Sequence, residues 1–457
     1  MELRATSQAR SLGLKLILVG ALAFLLWIPA MLVYALVWDR SSRADEVKNE
    51  IYQLVGGRQT ISGPVLLVPG VIDTGQTDKN DAPITRTTIV AFTPRTLNIE
   101  TDVSTTARQR SIYEATIFDA DIKMRGRFDA LNLPQIADGD LTLRWDQAVI
   151  AVKFSSDNSL KGVRDNLSLN INDKPVNAAF EPGIDALRGL SNLRHDINFY
   201  GSGISAALPL ANPQSGFSFE LSLPISGGGA IQFAPAGEET NVTMTSNWPD
   251  PSFQGAYLPD TRDITEAGFS ANWRIPYLAR NLPRSFLVDG NLNILDQGKS
   301  FGVEFITAAS PYQSVNRALK YALMFLGLVF LTFFLFEATM GARAHPAQYI
   351  LLGLTQVIFY LLVLAFSEHI GFERAFIGTA GATVLLSGFY AATVFHSFVR
   401  GIIALFAFSG AYALIYLLMK SEDYALLIGS VTAFGAIALT MFVTRNLDWY
   451  GARTKEE

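Results

Sequence analysis

The chain has 457 residues, 49% of them hydrophobic and only 17% charged, with 36 Lys and Arg against 41 Asp and Glu and no cysteine. Soluble chains carry about 25% charged residues, so part of this one avoids water. Mild acidity without a basic block excludes nucleic acid as a partner, and the missing cysteines exclude disulfides, thiolate chemistry, iron–sulfur clusters and cysteine-based zinc sites.

The N-terminal residues 1–15 carry Arg4, Arg10 and Lys15, and residues 16–38 then run for 23 positions without a charge. At about 1.5 Å per residue that run exceeds the roughly 30 Å hydrocarbon core. It is also longer than the apolar stretch of a signal peptide, and no small-x-small cleavage site follows, so it predicts an uncleaved transmembrane helix. Pro29 inside it predicts a kink at a packing contact.

Residues 39–316 hold 24 basic and 32 acidic side chains, a net of −8, whereas the two flanks together sum to +3. This block opens with Val47, Ile51 and Leu54 at helical spacing before Gly56-Gly57, which predicts a short amphipathic helix over 43–55. The period then changes to two. Stretches such as TTIVAFTPRTLNIETDVSTTARQ, DLTLRWDQAVIAVKF, FSFELSLPI and TNVTMTSNW alternate apolar and polar between Gly, Pro, Asn and Asp, as strands do. They predict a large antiparallel, β-sandwich-like region built as one or two units. Gly227-Gly228-Gly229 precedes a strand and not a helix, so it predicts a hairpin turn instead of a phosphate loop.

Five more apolar runs follow at 317–337, 347–367, 375–396, 401–419 and 424–444, with a tail at 445–457. The expected fold is therefore membrane α plus soluble β: one N-terminal helix, the β region, and a C-terminal five-helix bundle, six transmembrane helices in all. Placing the N-terminus in the cytoplasm puts Arg4, Arg10, Lys15, Arg343, Arg400, Arg445, Arg453 and Lys455 inside, and among the short outer loops only Arg374 and Lys420 outside. That bias predicts cytoplasmic termini and a block 39–316 outside the cytoplasm.

Candidate chemistry is sparse. The four histidines, 195, 345, 369 and 396, fall on both sides of the membrane without an HxxxH or HExxH pair, which argues against a metal site. Glu368, His369, Glu373 and Arg374 gather at the outer ends of two consecutive spans, either as a titrating cluster or as a polar turn capping two helices. Trp248, Asp250, Tyr257, Asp260 and Trp273 bracket a Pro-rich segment that is either a ligand or partner surface or a structured loop packing its aromatics on the sandwich. The middles of the spans carry no charge, and Glu337 and Lys320 sit at opposite ends of one helix within snorkelling reach, which disfavours ion-coupled transport. Ala425, Gly429 and Ala433 recur every four residues as a close-packing face.

Several separated stretches together resemble the CreD family of bacterial inner-membrane proteins: RSLGLKLILVGALAFLLWIPAMLVYALVWDR, EIYQLVGGRQTISGPVLLVP, NWPDPSFQGAYLP, GFSANWRIPYLAR, TFFLFEATMGARAHPAQYILLGLTQVIFYLLVLAFSEHIGF, EDYALLIGS and RNLDWY. The likeness runs from about Arg10 to Tyr450. Val55 departs from it, standing where relatives often carry tryptophan. The resemblance implies an inner-membrane location, a periplasmic 39–316 block and a role in cell-envelope integrity or envelope stress. It brings no catalytic residues and no cofactor. Read with the residues, it leads to a non-enzymatic protein contacting the bilayer and a protein, lipid or peptidoglycan partner. The alternatives are a lipid or small-molecule transporter or flippase using the bundle, and an envelope hydrolase with a carboxylate pair.

Overall fold

A computed structural model describes residues 12–77, 79, 81, 83–132, 140–155, 157–183, 203–280, 282–288, 299–306, 311–340, 344–420 and 424–445. The residues before Leu12, His195 and the tail from 446 onward lie outside these. The chain divides into a membrane unit, Met1–Asp45 with Ala309–Glu457, and a β unit, Glu46–Ala308.

The first helix, α1 (Leu12–Leu54), merges the apolar run and the amphipathic helix expected after it into one element that continues through Pro29. Asp39 to Ser42, where composition turns polar, contain no Gly or Pro to stop it. Its last turns belong to the β unit. There Val47, Ile51 and Tyr52 pack on Tyr113, Ala115 and Ile117, and the helix ends where Gly57 N–H donates to the Tyr52 carbonyl at 2.6 Å, with Gly56 and Gly57 both at positive φ.

Among the described residues eighteen strands follow: β1 (Gln59–Thr77), β2 (Pro83–Phe92), β3 (Thr96–Arg110), β4 (Tyr113–Phe128), β5 (Asp140–Leu143), β6 (Val149–Phe154), β7 (Ser168–Ile171), β8 (Lys174–Pro175), β9 (Phe180–Pro182), β10 (Gly203–Ala207), β11 (Phe217–Gly228), β12 (Ala230–Ala234), β13 (Glu239–Ser246), β14 (Pro251–Gly255), β15 (Thr261–Thr265), β16 (Gly268–Ile275), β17 (Ser285–Leu287) and β18 (Phe301–Phe305), with a one-turn helix, α2 (Tyr277–Arg280), between β16 and β17. They form two sheets. One, ten-stranded, runs β14-β18-β12-β1-β6-β10-β9, with β2 and β5 also on β1 and β17 on β2. The other, eight-stranded, runs β15-β16-β13-β3-β4-β11-β7-β8. Inward residues of both sheets, among them Leu66, Val90, Ile99, Met124, Leu223, Phe233 and Phe301, make a single core, so the region is one large two-sheet unit. The pairing is not wholly antiparallel as expected: β1 runs parallel to β12 and β3 parallel to β13. Gly227-Gly228-Gly229 is likewise not a hairpin. It carries the chain from β11 in one sheet to β12 in the other, and a Cβ on Gly228 would overlap the Tyr52 ring.

Among the described residues of the membrane unit, α1, α5 (Pro346–Ile370), α6 (Phe372–Val394), α7 (Phe398–Lys420) and α8 (Ala425–Thr444) are the five helices long and apolar enough to span a bilayer. The segment read as a sixth unbroken span is a bent pair. Amphipathic α3 (Pro311–Lys320) meets α4 (Ala322–Met340) at 55°, and six spans result only if the pair counts as one. The break falls where the polar face of α3, with Arg317 and Lys320 in its last turn, gives way to an all-apolar sequence. The interior is filled by aromatic rings: Phe325, Phe330, Phe333, Tyr349 and Tyr360 are each at most 1% exposed, with Phe325 and Phe359 edge-on to Tyr412 at 4.8 and 4.7 Å. Gly429 is buried on the bundle side of α8 whereas Ala433 is exposed, so the spacing of small residues there does not form one packed face; the side chain of Ala425 lies outside the described set.

Candidate functional site

Strands β13, β3, β4 and β11 alternate apolar-in and polar-out, so their outer faces form a polar carpet. Register sets it in rows: Thr243 lies opposite Glu100, and Glu100 opposite Lys123; Thr245 lies opposite Asp102, and Asp102 opposite Asp121. The loop Val163–Asn166 walls one side, and the groove so formed holds about 1080 Å³. Arg164 pins that loop, donating from Nε to Ser226 Oγ at 2.6 Å and pairing with Asp119. Side chains order one another across strands. Thr245 donates to Asp102 at 2.9 Å, Thr243 to Asn272 at 2.8 Å, and Asn272 to Thr261 at 3.1 Å, while Arg125 bridges Glu100 and Glu220. Such a floor offers alternating donors and acceptors to a hydroxyl-, amide- or amine-bearing ligand.

Of the four carboxylates lining this groove, Glu100, Asp102, Asp121 and Asp165, Asp102 and Asp121 stand directly opposite each other. Directly opposite residues stand about 4.5–5.5 Å apart at Cβ, and both are exposed. Their chemistry is attraction of a cation. Among the described residues no group of three or more His, Asp and Glu is placed to hold a metal ion.

The aromatic and acidic segment is split by the fold. Trp273, on β16, is 2% exposed and packs against Phe253 and Phe301 in the core. Tyr257 stacks edge-on with Phe301 and donates its hydroxyl to the Ala279 carbonyl at 2.8 Å; burial raises its pKa. Trp248 donates its indole N–H to the carbonyls of Asp250 and Ile306, both at 3.1 Å. Asp250 and Asp260 are exposed, while Trp248 and Tyr257 are half-buried. Trp273 therefore belongs to the core, and Trp248 and Tyr257 pack against that core with part of each ring exposed.

Beside them lies a charge cluster that sequence reading missed. Glu238, 6% exposed, accepts from Arg95 at 2.9 Å and Arg284 at 3.0 Å. Arg280, 3% exposed, donates to the Ala236 carbonyl and, at 3.2 Å, to Thr93 Oγ1. Desolvation lowers the Arg280 pKa to about 10 against the opposing pull of Glu238. The cluster ties β2, β13 and the segment after β16 together at one end of the sheets.

In the membrane unit, Glu368 and Glu373 do not share a cluster. Glu368 accepts from Tyr312 of α3 at 3.0 Å, and Glu373 pairs with Lys420 of α7 at 2.7 Å. Gly371, at φ 81° between α5 and α6, turns them toward different helices, while His369 and Arg374 are exposed. The buried ionic site is at Glu337, read from sequence as snorkelling. It pairs with Lys15 of α1 and accepts from Tyr349 Oη at 3.0 Å and the Ala344 N–H at 3.1 Å. Lys15 also donates to the Ala344 carbonyl at 2.9 Å, so the site joins α1, α4 and α5. His345 caps α5, its Nδ1 accepting from Ala347 N–H at 3.2 Å.

A family model described as Inner membrane protein CreD matches residues 11–450. Inner membrane protein CreD of Escherichia coli (strain K12) is 32% identical over 435 residues, spanning 95% of this chain and 92% of that protein.

Proposed function

The chain belongs to the CreD family of inner membrane proteins, and on that premise we propose that it supports cell-envelope integrity or the response to envelope stress, as a binding protein and not an enzyme. The β unit, with residues 39–316 in the periplasm and both termini in the cytoplasm, engages a polar envelope partner of protein, lipid or peptidoglycan chemistry. The observation that carries this reading is the 1080 Å³ groove on the eight-stranded sheet, floored by hydroxyls, amides and carboxylates. The distribution of Lys and Arg among the short loops supports the orientation. The aromatic filling of the bundle interior weighs against a lipid-sized path through it.

The test fills the groove without touching the core. Thr243 and Ser222 are surface positions on β13 and β11, and Thr243→Trp with Ser222→Trp places two indoles over the floor. In a strain depleted of the protein and sensitive to envelope-disrupting detergent, the wild-type chain restores growth and the folded double variant does not. Full rescue by the double variant sinks the assignment.

A further inference from the structure

Between α5 and α6 lies a lipid-facing notch of about 110 Å³, lined by Leu351, Leu352, Thr355, Leu386, Ser387 and Tyr390. Leu351 and Leu386 form its mouth and are 55% and 59% exposed, facing hydrocarbon in a bilayer. The floor is polar. On α6, Thr379, Thr383 and Ser387 recur at four-residue spacing and are all at most 5% exposed. Thr379 donates one turn back to the Ala375 carbonyl at 2.7 Å and Thr383 to the Thr379 carbonyl at 2.8 Å. Across the notch, Thr355 does the same to the Leu351 carbonyl at 2.9 Å. Back-bonding of this kind is how a helix silences a hydroxyl in an apolar medium. Ser387, next in the stripe and 2% exposed, departs from it: its Oγ has no hydrogen-bond partner among the described residues. A buried hydroxyl without an acceptor is costly, the more so where no bulk water reaches it.

We propose that this notch binds a bilayer-dissolved amphiphile whose carbonyl oxygen accepts the Ser387 hydroxyl while its apolar body lies between Leu351 and Leu386. The volume suits a compact head: it is a few times the roughly 30 Å³ share of one water and far below a whole phospholipid. Ser387 lies seven residues before the end of α6, roughly 10 Å along the helix axis, within reach of the upper acyl region. Two sources present a carbonyl there, the ester of a phospholipid and the ring of a quinone.

The full-length chain, purified in detergent, is titrated by native mass spectrometry with ester-linked phosphatidylglycerol, ether-linked phosphatidylglycerol and a short-chain ubiquinone. Ser387→Ala removes the donor with little change of volume, and Ser387→Trp fills the notch. Wild type binds the ester lipid, the quinone or both about three- to fifteenfold more tightly than Ser387→Ala, the span of measured hydrogen bonds within membranes. Ser387→Trp loses that binding, and the ether lipid, which lacks a carbonyl, does not distinguish wild type from Ser387→Ala. A response to the ester lipid alone assigns a phospholipid, and to ubiquinone alone a quinone. The proposal is overturned if neither ligand separates wild type from Ser387→Ala, or if the ether lipid separates them equally.

Discussion

Lys15 of α1 forms an ion pair with Glu337 of α4, a carboxylate only 4% exposed, and the contact spans 322 positions of sequence. Removing one partner leaves the other charge buried, at about 3–5 kcal/mol. Lys15→Met and Glu337→Leu are therefore each expected to lower the thermal midpoint in detergent by several degrees. The double variant leaves no orphaned charge and recovers much of the loss. Additive single effects would contradict the pairing.

Gly228 gives a test of how the last turns of α1 pack within the β unit. A Cβ there would stand 2.2 Å from Tyr52 Cδ1, so Gly228→Ala forces the ring to move. Overpacking of this kind costs about 1–3 kcal/mol. Adding Tyr52→Ala to Gly228→Ala removes the obstruction and is expected to bring the pair close to Tyr52→Ala alone in chemical denaturation of the full chain. A Gly228→Ala chain as stable as wild type would contradict the close approach.

Trp273 separates a packing role from a ligand role. Its ring fills the space between Phe253 and Phe301, and its indole N–H has no partner among the described residues. Trp273→Ala is expected to cost about 3–5 kcal/mol, whereas Trp273→Phe keeps most of the packing, drops the unsatisfied donor and costs far less. Neither is expected to change binding in the groove, as read by any ligand retained by the folded wild type.

These sites show where sequence is transparent. Charge-free runs mark spans because hydrocarbon rejects charge at every depth, and period-two alternation marks strands because one sheet face is dry. Partners are harder. Glu337 stands at a helix end and reads as snorkelling, since Lys15 belongs to the other end of the chain. Glu368 and Glu373 are neighbours in sequence but turn to α3 and α7. β1 meets β12 and β3 meets β13 in parallel across more than a hundred residues, with no local turn to announce the pairing. The groove escaped for the same reason: Thr243, Asp102, Lys123 and Ser222 come from four strands, each reading alone as an ordinary solvated face.

Arg280 supplies a prediction about pH. Its folded-state pKa, about 10, lies below the ordinary value of a free guanidinium. A base depressed on folding makes stability rise with pH only between those two values, because there the unfolded chain binds more protons. Below about pH 9 it stays charged in both states and adds no slope. Arg280→Met strips the donor from the Ala236 carbonyl and is expected to cost about 1–3 kcal/mol, by the same amount at every pH from 6 to 9. A difference that changed with pH in that window would show that another group titrates with the cluster.

Asp102 and Asp121 stand directly opposite each other on β3 and β4. Like charges at that position oppose pairing, by about 0.2–1 kcal/mol, and Thr245 satisfies only Asp102. Lys123 sits one row away, opposite Glu100. If the floor serves only to solvate the sheet, Asp121→Asn is a plain gain. If it holds a cationic group of the partner, the same change weakens that hold. Asp121→Asn is expected to raise the thermal midpoint slightly, most at low salt where repulsion is least screened. It is also expected to fail to restore envelope integrity in the depleted strain, despite being the more stable protein. A stabilised variant that rescues fully would make the carboxylate pair irrelevant to binding, and the groove would have to act through its hydroxyls and amides alone.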